Sequence, residues 1–304
     1  MRNRAVGAQF EPGSTLKTIT IAAAIEDKKI AADSHFYCSG TVRIGKHTVR
    51  CAHGEVHRDQ TTLDVLRSSC NLAAAHYANL LGPRRLYEYE EAFGFGQKTQ
   101  AGLPGEEPGL LANPSDWSKI QLANIGFGQG ISVTPLQLAA AYGAIANDGV
   151  WMRPHIVWGE RQPGTGKLKP QPVEQGRRVV SAQTARQVRV MLEAVVERGT
   201  GKLAQLDGYT CGGKTGTAQI PGKGGYSGKY VASFIGMAPI KSPKYVVLVA
   251  VTAPQGSSYG GVVAAPVFRE ITEQALLMCR TPRDKAPRPK SKTRRVRETQ
   301  SIAD

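Results

Sequence analysis

The sequence is poor in long apolar runs and in acidic residues. No stretch of its 304 residues approaches the roughly 18 consecutive apolar residues that a membrane-spanning helix needs. The first ten residues, MRNRAVGAQF, lack the apolar core of a secretion signal. We therefore expect no membrane anchor and no signal within this sequence, and we find no internal repeat that would indicate a solenoid.

Basic residues outnumber acidic ones by 39 to 24, which gives a formal net charge of +15. Part of the excess lies in residues 280–304, where nine basic residues accompany three acidic ones. This segment is rich in Pro and almost free of large apolar residues, so we expect a disordered basic tail. A solvated tail is favoured over one that binds anionic lipid or wall polymer. A nucleic-acid partner is disfavoured because the remaining charge is spread out and no RNA-binding motif or zinc-finger spacing occurs.

Apolar patterns predict helices in the first two thirds of the chain and strands in the last third. Helices are predicted over residues 14–30, 62–81 and 181–198 and from a Thr134–Pro135 start, with the second one interrupted by SSCN. TVRI-GK-HTVR predicts a hairpin, and TCGGKTGTAQI, YVASFIGMAPI and KYVVLVAVTAP predict consecutive antiparallel strands. APVFREITEQALLMC predicts a closing helix. This order indicates an α+β fold rather than alternating βαβ units.

The stretch EPGSTLKT places Ser14 three positions before Lys17. Residues at this spacing share a helix face, so the amine can reach the hydroxyl. A lysine that is partly desolvated in a cleft has a lowered pKa and can take a proton from a serine nucleophile. About one Ser-x-x-Lys is expected by chance in a chain of this length. A capped surface helix is therefore the competing interpretation of this motif alone.

A second short motif, Ser69–Cys70–Asn71, interrupts a helical pattern. Ser and Asn side chains favour non-helical backbone because they compete for its hydrogen bonds. By itself the motif predicts only a turn between two helices, with Asn71 as the cap.

The third motif, Lys214–Thr215–Gly216–Thr217, is far more specific. Its chance occurrence is well below about one in a hundred chains of ordinary composition. Gly216 lies at the start of a predicted strand and would let the backbone of a ligand approach closely. The Lys214 charge and the two threonine hydroxyls could bind a carboxylate. An exposed strand start with a turn glycine is the competing interpretation.

Ser-x-x-Lys, Ser-x-Asn and Lys-Thr-Gly in this order are the signature of penicillin-binding proteins and serine β-lactamases. The passages GFGQGISVTPLQLAAAYGAIANDG, GTGKLAQLDGYTCGGKTGTAQ and SYGGVVAAPVFREI make residues 5–279 similar to class B penicillin-binding proteins of the division and sporulation type. The resemblance implies a transpeptidase domain over residues 1–279, with an antiparallel sheet flanked by helices and a mostly helical subdomain. Family members have two sheet strands before the Ser-x-x-Lys helix, so we expect these strands to be missing here.

The resemblance also implies the catalytic roles. Ser14 would attack the penultimate D-Ala carbonyl of a peptidoglycan stem peptide and expel the terminal D-Ala, with Lys17 as the base. Ser69 would relay the proton, Asn71 would orient Lys17 and the substrate, and Lys214 would set the electrostatics of the site. The acyl group would then pass to an amine of a second strand and form a crosslink.

Substrate binding is implied for Thr215, Gly216 and Thr217, and the backbone N–H groups of Ser14 and Thr217 would form the oxyanion hole. The resemblance implies no cofactor and no metal. The implied partners are stem peptides, β-lactam antibiotics and a glycosyltransferase of cell-wall synthesis. The full-length family acts at the extracytoplasmic face of the bacterial inner membrane.

Three other functions share some of these motifs. They are a serine β-lactamase, a D,D-carboxypeptidase, and a sensor or scaffold that is acylated by penicillin without turnover. A class A β-lactamase needs a loop glutamate that activates water. Glu106 and Glu107 in GEEPGLLANP lack the Glu-x-x-x-Asn spacing, so a hydrolase is disfavoured.

The five cysteines form no dense disulfide framework, and they are Cys38, Cys51, Cys70, Cys211 and Cys279. Because Cys70 lies inside the second motif, a Cys51–Cys70 disulfide could act as a redox switch of the site. A Cys38–Cys51 bond is geometrically doubtful if the hairpin turns at Gly45 and Lys46, since Cys51 then lies opposite Gly40. Free thiols remain open, as does a zinc site built from Cys38, Cys51, His53 and His57.

Overall fold

The computed structural model describes residues 3–222 and 225–286. The helices are α1 Arg4–Gly7, α2 Lys17–Glu26, α3 Thr62–Ser68, α4 Asn71–Leu81, α5 Pro83–Ala92, α6 Lys119–Gly126, α7 Pro135–Ala146, α8 Ala182–Arg198, α9 Gly260–Val263 and α10 Ala265–Met278. The strands are β1 His35–Cys38, β2 Thr41–Ile44, β3 His47–Arg50, β4 Arg58–Thr61, β5 Val150–Trp151, β6 Gly159–Arg161, β7 Leu168–Pro170, β8 Arg177–Arg178, β9 Gly212–Gly222, β10 Gly225–Ala238 and β11 Tyr245–Thr252.

The largest sheet consists of three antiparallel strands in the order β11-β10-β9. Phe234 of β10 lies opposite Thr215 of β9 and Val249 of β11. Helix α10 packs on this sheet through Phe268, whose ring centroid lies 4.8 Å from that of Phe234. The prediction of consecutive antiparallel strands closed by a helix is confirmed, and with it the α+β class.

Helix α2 runs through the larger of two apolar clusters. All residues from Lys17 to Ala24 are buried. From Thr18 onward this is expected for a helix with small or apolar side chains on every face. The helix begins at Lys17 and ends at Glu26, so it is shorter than the predicted span of 14–30. The four residues before it form a separate 3₁₀ turn, Gly13–Thr15, and its cap, Leu16.

Two small sheets come between α2 and α3 along the chain. Strand β1 pairs with β4, and β2 pairs with β3 in the predicted hairpin around Gly45. Helices α3 and α4 follow, and Ser69 between them adopts a left-handed conformation with φ of 62°. The predicted interruption of the 62–81 helix is therefore confirmed, although Cys70 rather than Asn71 caps α4.

The start of the predicted tail is part of the packed structure. The Tyr209 hydroxyl donates a hydrogen bond to the Thr281 carbonyl at 2.9 Å, and the Thr210 N–H donates to Asp284 at 2.7 Å. Composition predicts a disordered segment here because residues 280–304 as a whole are basic and rich in Pro. Residues 287–304 of the predicted tail lie outside the described residues.

Every helix in the described part of the chain falls short, in length or in apolar character, of what crossing a bilayer requires.

The contact between the sheet and α10 generates a stability prediction. Phe268 is fully buried against Phe234, so Phe268→Ala should lower the free energy of unfolding by about 3–5 kcal/mol in a denaturant titration. The neighbouring Val267 is 39% exposed, and Val267→Ala should change the same quantity by less than about 1 kcal/mol. Equal losses in the two variants would contradict this packing.

Candidate active site

Ser14 lies in a tight turn that is held from several sides. The Gly13 N–H donates to the Gly128 carbonyl at 2.9 Å, and the Thr15 hydroxyl donates to the Pro12 carbonyl at 2.7 Å. The buried Tyr142 hydroxyl donates to the Thr15 carbonyl at 2.8 Å. Ser14 itself is half-buried. The turn is therefore fixed by its backbone, and the hydroxyl of Ser14 is left for other contacts.

The loop GFGQG supports this turn by close backbone contact. A Cβ atom on Gly128 would lie 2.0 Å from the Gly13 carbonyl oxygen, and Gly128 has a φ of +90°. Only a residue without a side chain fits both conditions. The loop thus packs against the serine turn, a role that its spacing did not indicate.

Lys17 is completely buried directly behind the turn. Its ammonium group donates to the Ser69 carbonyl at 2.6 Å, to the Ser69 hydroxyl at 3.1 Å and to Asn71 Oδ1 at 2.6 Å. Burial lowers the pKa of Lys17 to about 8, although the nearby Cys70 and Cys51 act in the opposite direction. These three acceptors account for all three N–H bonds of the ammonium. None of the described hydrogen bonds joins Lys17 to Ser14.

The turn between α3 and α4 places the second motif against Lys17. The left-handed backbone of Ser69 turns both its carbonyl and its hydroxyl towards the lysine. Asn71 is the first residue of α4, and its amide Nδ2 donates to the Arg50 carbonyl at 2.9 Å. Asn71 therefore connects Lys17 with the end of strand β3.

Lys214 of the third motif reaches the same serine. Its amine is fully buried and donates to the Ser69 hydroxyl at 2.9 Å and to the Thr215 carbonyl at 3.2 Å. Burial first, and then the positive charge of Lys17, lowers the pKa of Lys214 well below its ordinary value. Ser69 Oγ is thus shared by two buried amines. Such a hydroxyl can pass a proton between neighbouring groups.

The remaining residues of the third motif differ in accessibility. The Thr215 hydroxyl lies 2.9 Å from the Thr200 hydroxyl, and the exposed Thr217 accepts a hydrogen bond from the Gly260 N–H at 3.4 Å. A Cβ atom on Gly216 would lie 2.4 Å from Ser233 Oγ and 3.0 Å from Thr15 Cγ2. Gly216 therefore makes room for the neighbouring strand and the serine turn, whereas the sequence suggested room for a ligand.

The three motifs meet at one cleft of about 970 Å³. Its lining includes Ser14, Ser69, Asn71, Thr215 and Thr217, and the two lysines lie beneath its floor. Each expected catalytic or substrate-binding residue is therefore in the cleft or packed directly under it. The arrangement combines an accessible hydroxyl, two amines with lowered pKa values and a relay hydroxyl between them.

Sequence patterns did not indicate several residues that support this site. Gly128 and Tyr142 hydrogen-bond to the serine turn at Gly13 and Thr15, and Thr200 contacts Thr215 of the third motif. Tyr142 lies inside an apolar helix and Thr200 follows a helix-ending glycine, so neither position carried a local signal of its partner.

The cysteines near the site are thiols, and they lie closer together than the sequence suggested. Cys51 Sγ is 3.6 Å from both Cys38 Sγ and Cys70 Sγ. A hydrogen bond from the Cys70 thiol lowers the pKa of Cys51. Cys51 lies opposite Gly40 as expected, since its N–H donates to that carbonyl at 3.0 Å. Cys38 and Cys51 form no disulfide, but Cys38 Sγ lies as close to Cys51 Sγ as Cys70 Sγ does, because β1 pairs with β4 rather than extending the hairpin.

Comparison with known proteins gives relatives for almost the whole chain. The chain is 41% identical over 279 residues to stage V sporulation protein D of Bacillus subtilis. This alignment covers 90% of the present chain and 43% of the relative. It is 36% identical over 278 residues to the probable peptidoglycan D,D-transpeptidase PenA of Neisseria flavescens, covering 90% of this chain and 66% of the relative. The chain thus spans less than half the length of the first of these relatives and about two thirds of the second.

Solved structures agree with the sequence relatives. Penicillin binding protein 3 from Mycobacterium tuberculosis, complexed with aztreonam, superposes with a TM-score of 0.85 at 37% identity, covering 94% of this chain and 67% of that one. The family described as the penicillin binding protein transpeptidase domain matches residues 1–273. The resemblance inferred from the three motifs is confirmed: the chain belongs to the penicillin-binding protein transpeptidase family.

Proposed function

We propose that this chain is the catalytic domain, over residues 1–279, of a peptidoglycan D,D-transpeptidase that is acylated at Ser14 by D-Ala-D-Ala stem peptides and by β-lactams. The observation that carries the proposal is the sharing of Ser69 Oγ by the buried amines of Lys17 and Lys214, directly under a cleft that Ser14 lines. The relative named as a probable peptidoglycan D,D-transpeptidase and the relative complexed with aztreonam support the same activity.

Acylation begins with the loss of the Ser14 proton. A neutral Lys17 takes this proton while Ser14 Oγ attacks the carbonyl of the penultimate D-Ala. The backbone N–H groups of Ser14 and Thr217 stabilise the oxyanion. The proton then passes from Lys17 through Ser69 to the departing nitrogen, so that the terminal D-Ala leaves as a neutral amine and Ser14 carries the acyl group.

Deacylation repeats these steps with a different nucleophile. An amine of a second stem peptide attacks the ester carbonyl and loses a proton to Lys17, which returns it to Ser14 Oγ as the ester breaks. The product is an amide crosslink, and the serine and the lysine recover their starting states. Asn71 keeps Lys17 in place throughout, since its Oδ1 accepts a hydrogen bond from the amine at 2.6 Å.

The carboxylate of the substrate supplies the negatively charged partner that the two lysine amines lack. Neither amine has a carboxylate among its described hydrogen-bond partners. A terminal carboxylate bound by the hydroxyls of Thr215 and Thr217 would favour a protonated Lys214. The charge on Lys214 in turn favours a neutral Lys17, which is the form that acts as the base.

Transfer of the acyl group to water, as in a β-lactamase, would need a glutamate that activates the water. The two candidates from the sequence, Glu106 and Glu107, are not placed for this role. Glu106 accepts hydrogen bonds from Thr99, Gln100 and Ala101 within its own loop, and Glu107 accepts one from Gln9. Neither residue lines the cleft. These contacts favour a transpeptidase over a β-lactamase.

The site of action follows from the substrate. Stem peptides of peptidoglycan lie outside the cytoplasm, so we place the domain at the extracytoplasmic face of the bacterial inner membrane. A glycosyltransferase that polymerises the glycan strands is the partner that fits this reaction.

Labelling with a fluorescent penicillin tests the nucleophile. The wild-type chain should form a covalent adduct on Ser14, identified by mass spectrometry, whereas Ser14→Ala should form none because no hydroxyl remains. Ser258 lines the same cleft outside the motifs, and Ser258→Ala should label at close to the wild-type rate. With lipid-linked stem pentapeptides and a glycosyltransferase, the wild type should release D-Ala and form crosslinked peptides.

Three results would contradict the proposal. Labelling of Ser14 without crosslinks or free tetrapeptide would indicate a sensor, and tetrapeptide alone would indicate a carboxypeptidase. Repeated turnover of a chromogenic cephalosporin would indicate a β-lactamase.

The pKa of Lys17 predicts the pH dependence of acylation. Burial lowers this pKa to about 8, and the base acts in its deprotonated form. The acylation rate constant should therefore rise about tenfold per pH unit below pH 8 and level off above it. Lys17→Arg stays charged throughout this range, so its residual rate should lack this rise. A wild-type rate that is constant between about pH 6 and pH 8 would remove Lys17 from the role of base.

The contact between Gly128 and Gly13 gives a further test of the serine turn. Gly128→Ala should lower the acylation rate constant by about 100-fold, because the new Cβ displaces the backbone beside Ser14. Gly130→Ala is the matched control, since Gly130 also has a positive φ but meets no atom closer than 3.7 Å. It should destabilise the protein by about 1 kcal/mol and acylate normally. Equal acylation rates in the two folded variants, checked by circular dichroism, would contradict the steric argument.

A further inference from the structure

Four side chains that the proposed reaction does not use lie together beside the site. Cys38 ends β1, Cys51 follows β3, His57 precedes β4, and Cys70 caps α4. Their ligand-capable atoms all lie within 4.8 Å of one another. The three cysteines are buried and His57 is half-buried. The cluster therefore joins four separate segments of the chain at one point.

The spacing of these atoms matches a tetrahedral metal site. With zinc–sulfur bonds of about 2.3 Å, the sulfur atoms of a tetrahedral site lie about 3.8 Å apart. Cys51 Sγ is 3.6 Å from Cys38 Sγ and 3.6 Å from Cys70 Sγ, and Cys38 Sγ is 3.4 Å from His57 Nδ1. A disulfide would bring two sulfur atoms to about 2.05 Å and would leave the third thiol and the imidazole unused.

The surroundings orient the four groups as ligands. His57 Nδ1 faces Cys38 while its Nε2 lies 3.2 Å from Glu55 Oε2. A carboxylate on the outer nitrogen places the proton there and leaves Nδ1 free to bind a metal. Cys70 Sγ accepts a hydrogen bond from the Ala73 N–H at 3.4 Å. Such bonds to sulfur stabilise a thiolate.

The segment that carries three of these groups has almost no apolar core. Among the described side chains of residues 35–61, Cys38, Val49, Cys51 and Gln60 are the buried ones. Its two sheets have two strands each, and a pair of strands alone is marginally stable. Small units of this kind are commonly held together by a disulfide or a structural metal.

We propose that Cys38, Cys51, His57 and Cys70 bind one Zn²⁺ ion in a closed structural site. Binding exchanges the three thiol protons for the metal and involves no oxidation. Because the protein supplies all four ligands, no position remains for a reactive water. The expected absence of a metal is thereby revised. Cys70 takes the place of His53 in the ligand set considered from the sequence, and the side chain of His53 lies outside the described part of the chain.

Metal analysis of the purified chain tests the site directly. The protein, expressed with added zinc and freed of loosely bound metal on a desalting column, should contain about one zinc per chain by plasma mass spectrometry. Cys38→Ser and His57→Ala should lose most of it. Cys211 is also buried but contacts the Ala204 carbonyl away from the cluster, so Cys211→Ser should keep it. The cobalt-substituted wild type should show the thiolate charge-transfer and d–d bands of a tetrahedral site.

A variant outside the ligand set covers the case in which ligand variants fail to fold. Glu55→Ala removes the partner of His57 Nε2 but no ligand, and it should weaken zinc binding about 10–100-fold in a competition titration with a chromogenic chelator. An unchanged affinity would overturn the assigned His57 orientation.

Thiol counting separates the metal from a disulfide. The wild type, denatured with a chelator and no reductant, should release all five thiols. Three thiols and no zinc would overturn the proposal in favour of a disulfide, and five thiols with no zinc would overturn it in favour of free cysteines. None of these measurements uses penicillin or stem peptides, so their outcome is independent of the proposed transferase activity.

Discussion

Two fully buried amines share the hydroxyl of Ser69, and much of the surrounding structure serves to keep them there. Lys17 and Lys214 lie where an ammonium is poorly solvated, and each charge opposes the other. The fold compensates with neutral acceptors instead of carboxylates: the Ser69 carbonyl, the Asn71 amide oxygen and the Thr215 carbonyl. Neutral acceptors hold an amine in position without strongly favouring its charged form. A lysine can therefore stay buried, ordered and only weakly basic.

This constraint explains why the three motifs lie on different kinds of structure. Ser14 is in a backbone-fixed turn, Ser69 is in a left-handed link between two helices, and Lys214 is on a strand buried by its neighbours. The turn and the strand meet closely because Gly216 has no side chain to separate Thr15 from Ser233. The link between α3 and α4 then projects the Ser69 hydroxyl between Lys17, which follows the turn, and Lys214 on the strand. A continuous helix could not expose both the Ser69 carbonyl and its hydroxyl to Lys17.

The sequence predicted the helices and strands whose formation depends mainly on residues close together along the chain. The strands β9 to β11, the amphipathic helix α8 and the break at Ser69 each depend on neighbours along the chain. Helix α5 was not predicted because its residues are largely polar, and its position depends on Arg85 pairing with Asp27 of a distant segment at 2.7 Å. The displacement of Ser14 from helix α2 into its own turn likewise depends on Gly128, more than a hundred residues away. The residues of the candidate site could be named from their motifs, but their distances could not.

The pairing of β1 with β4 was also beyond local patterns, and it connects the cysteine cluster with the site. Cys70 lies between Ser69 and Asn71, and Asn71 Nδ2 donates to the carbonyl of Arg50, the residue before Cys51. A movement of Cys51 therefore moves the carbonyl that holds Asn71, and Asn71 in turn holds Lys17. The neighbouring sheets contribute few buried side chains that could resist such a movement. The position of the buried lysine thus depends on whatever fixes Cys51 and Cys70. A metal bound by these cysteines and by His57, which lines the cleft, would hold Asn71 and Lys17 of the candidate site in place.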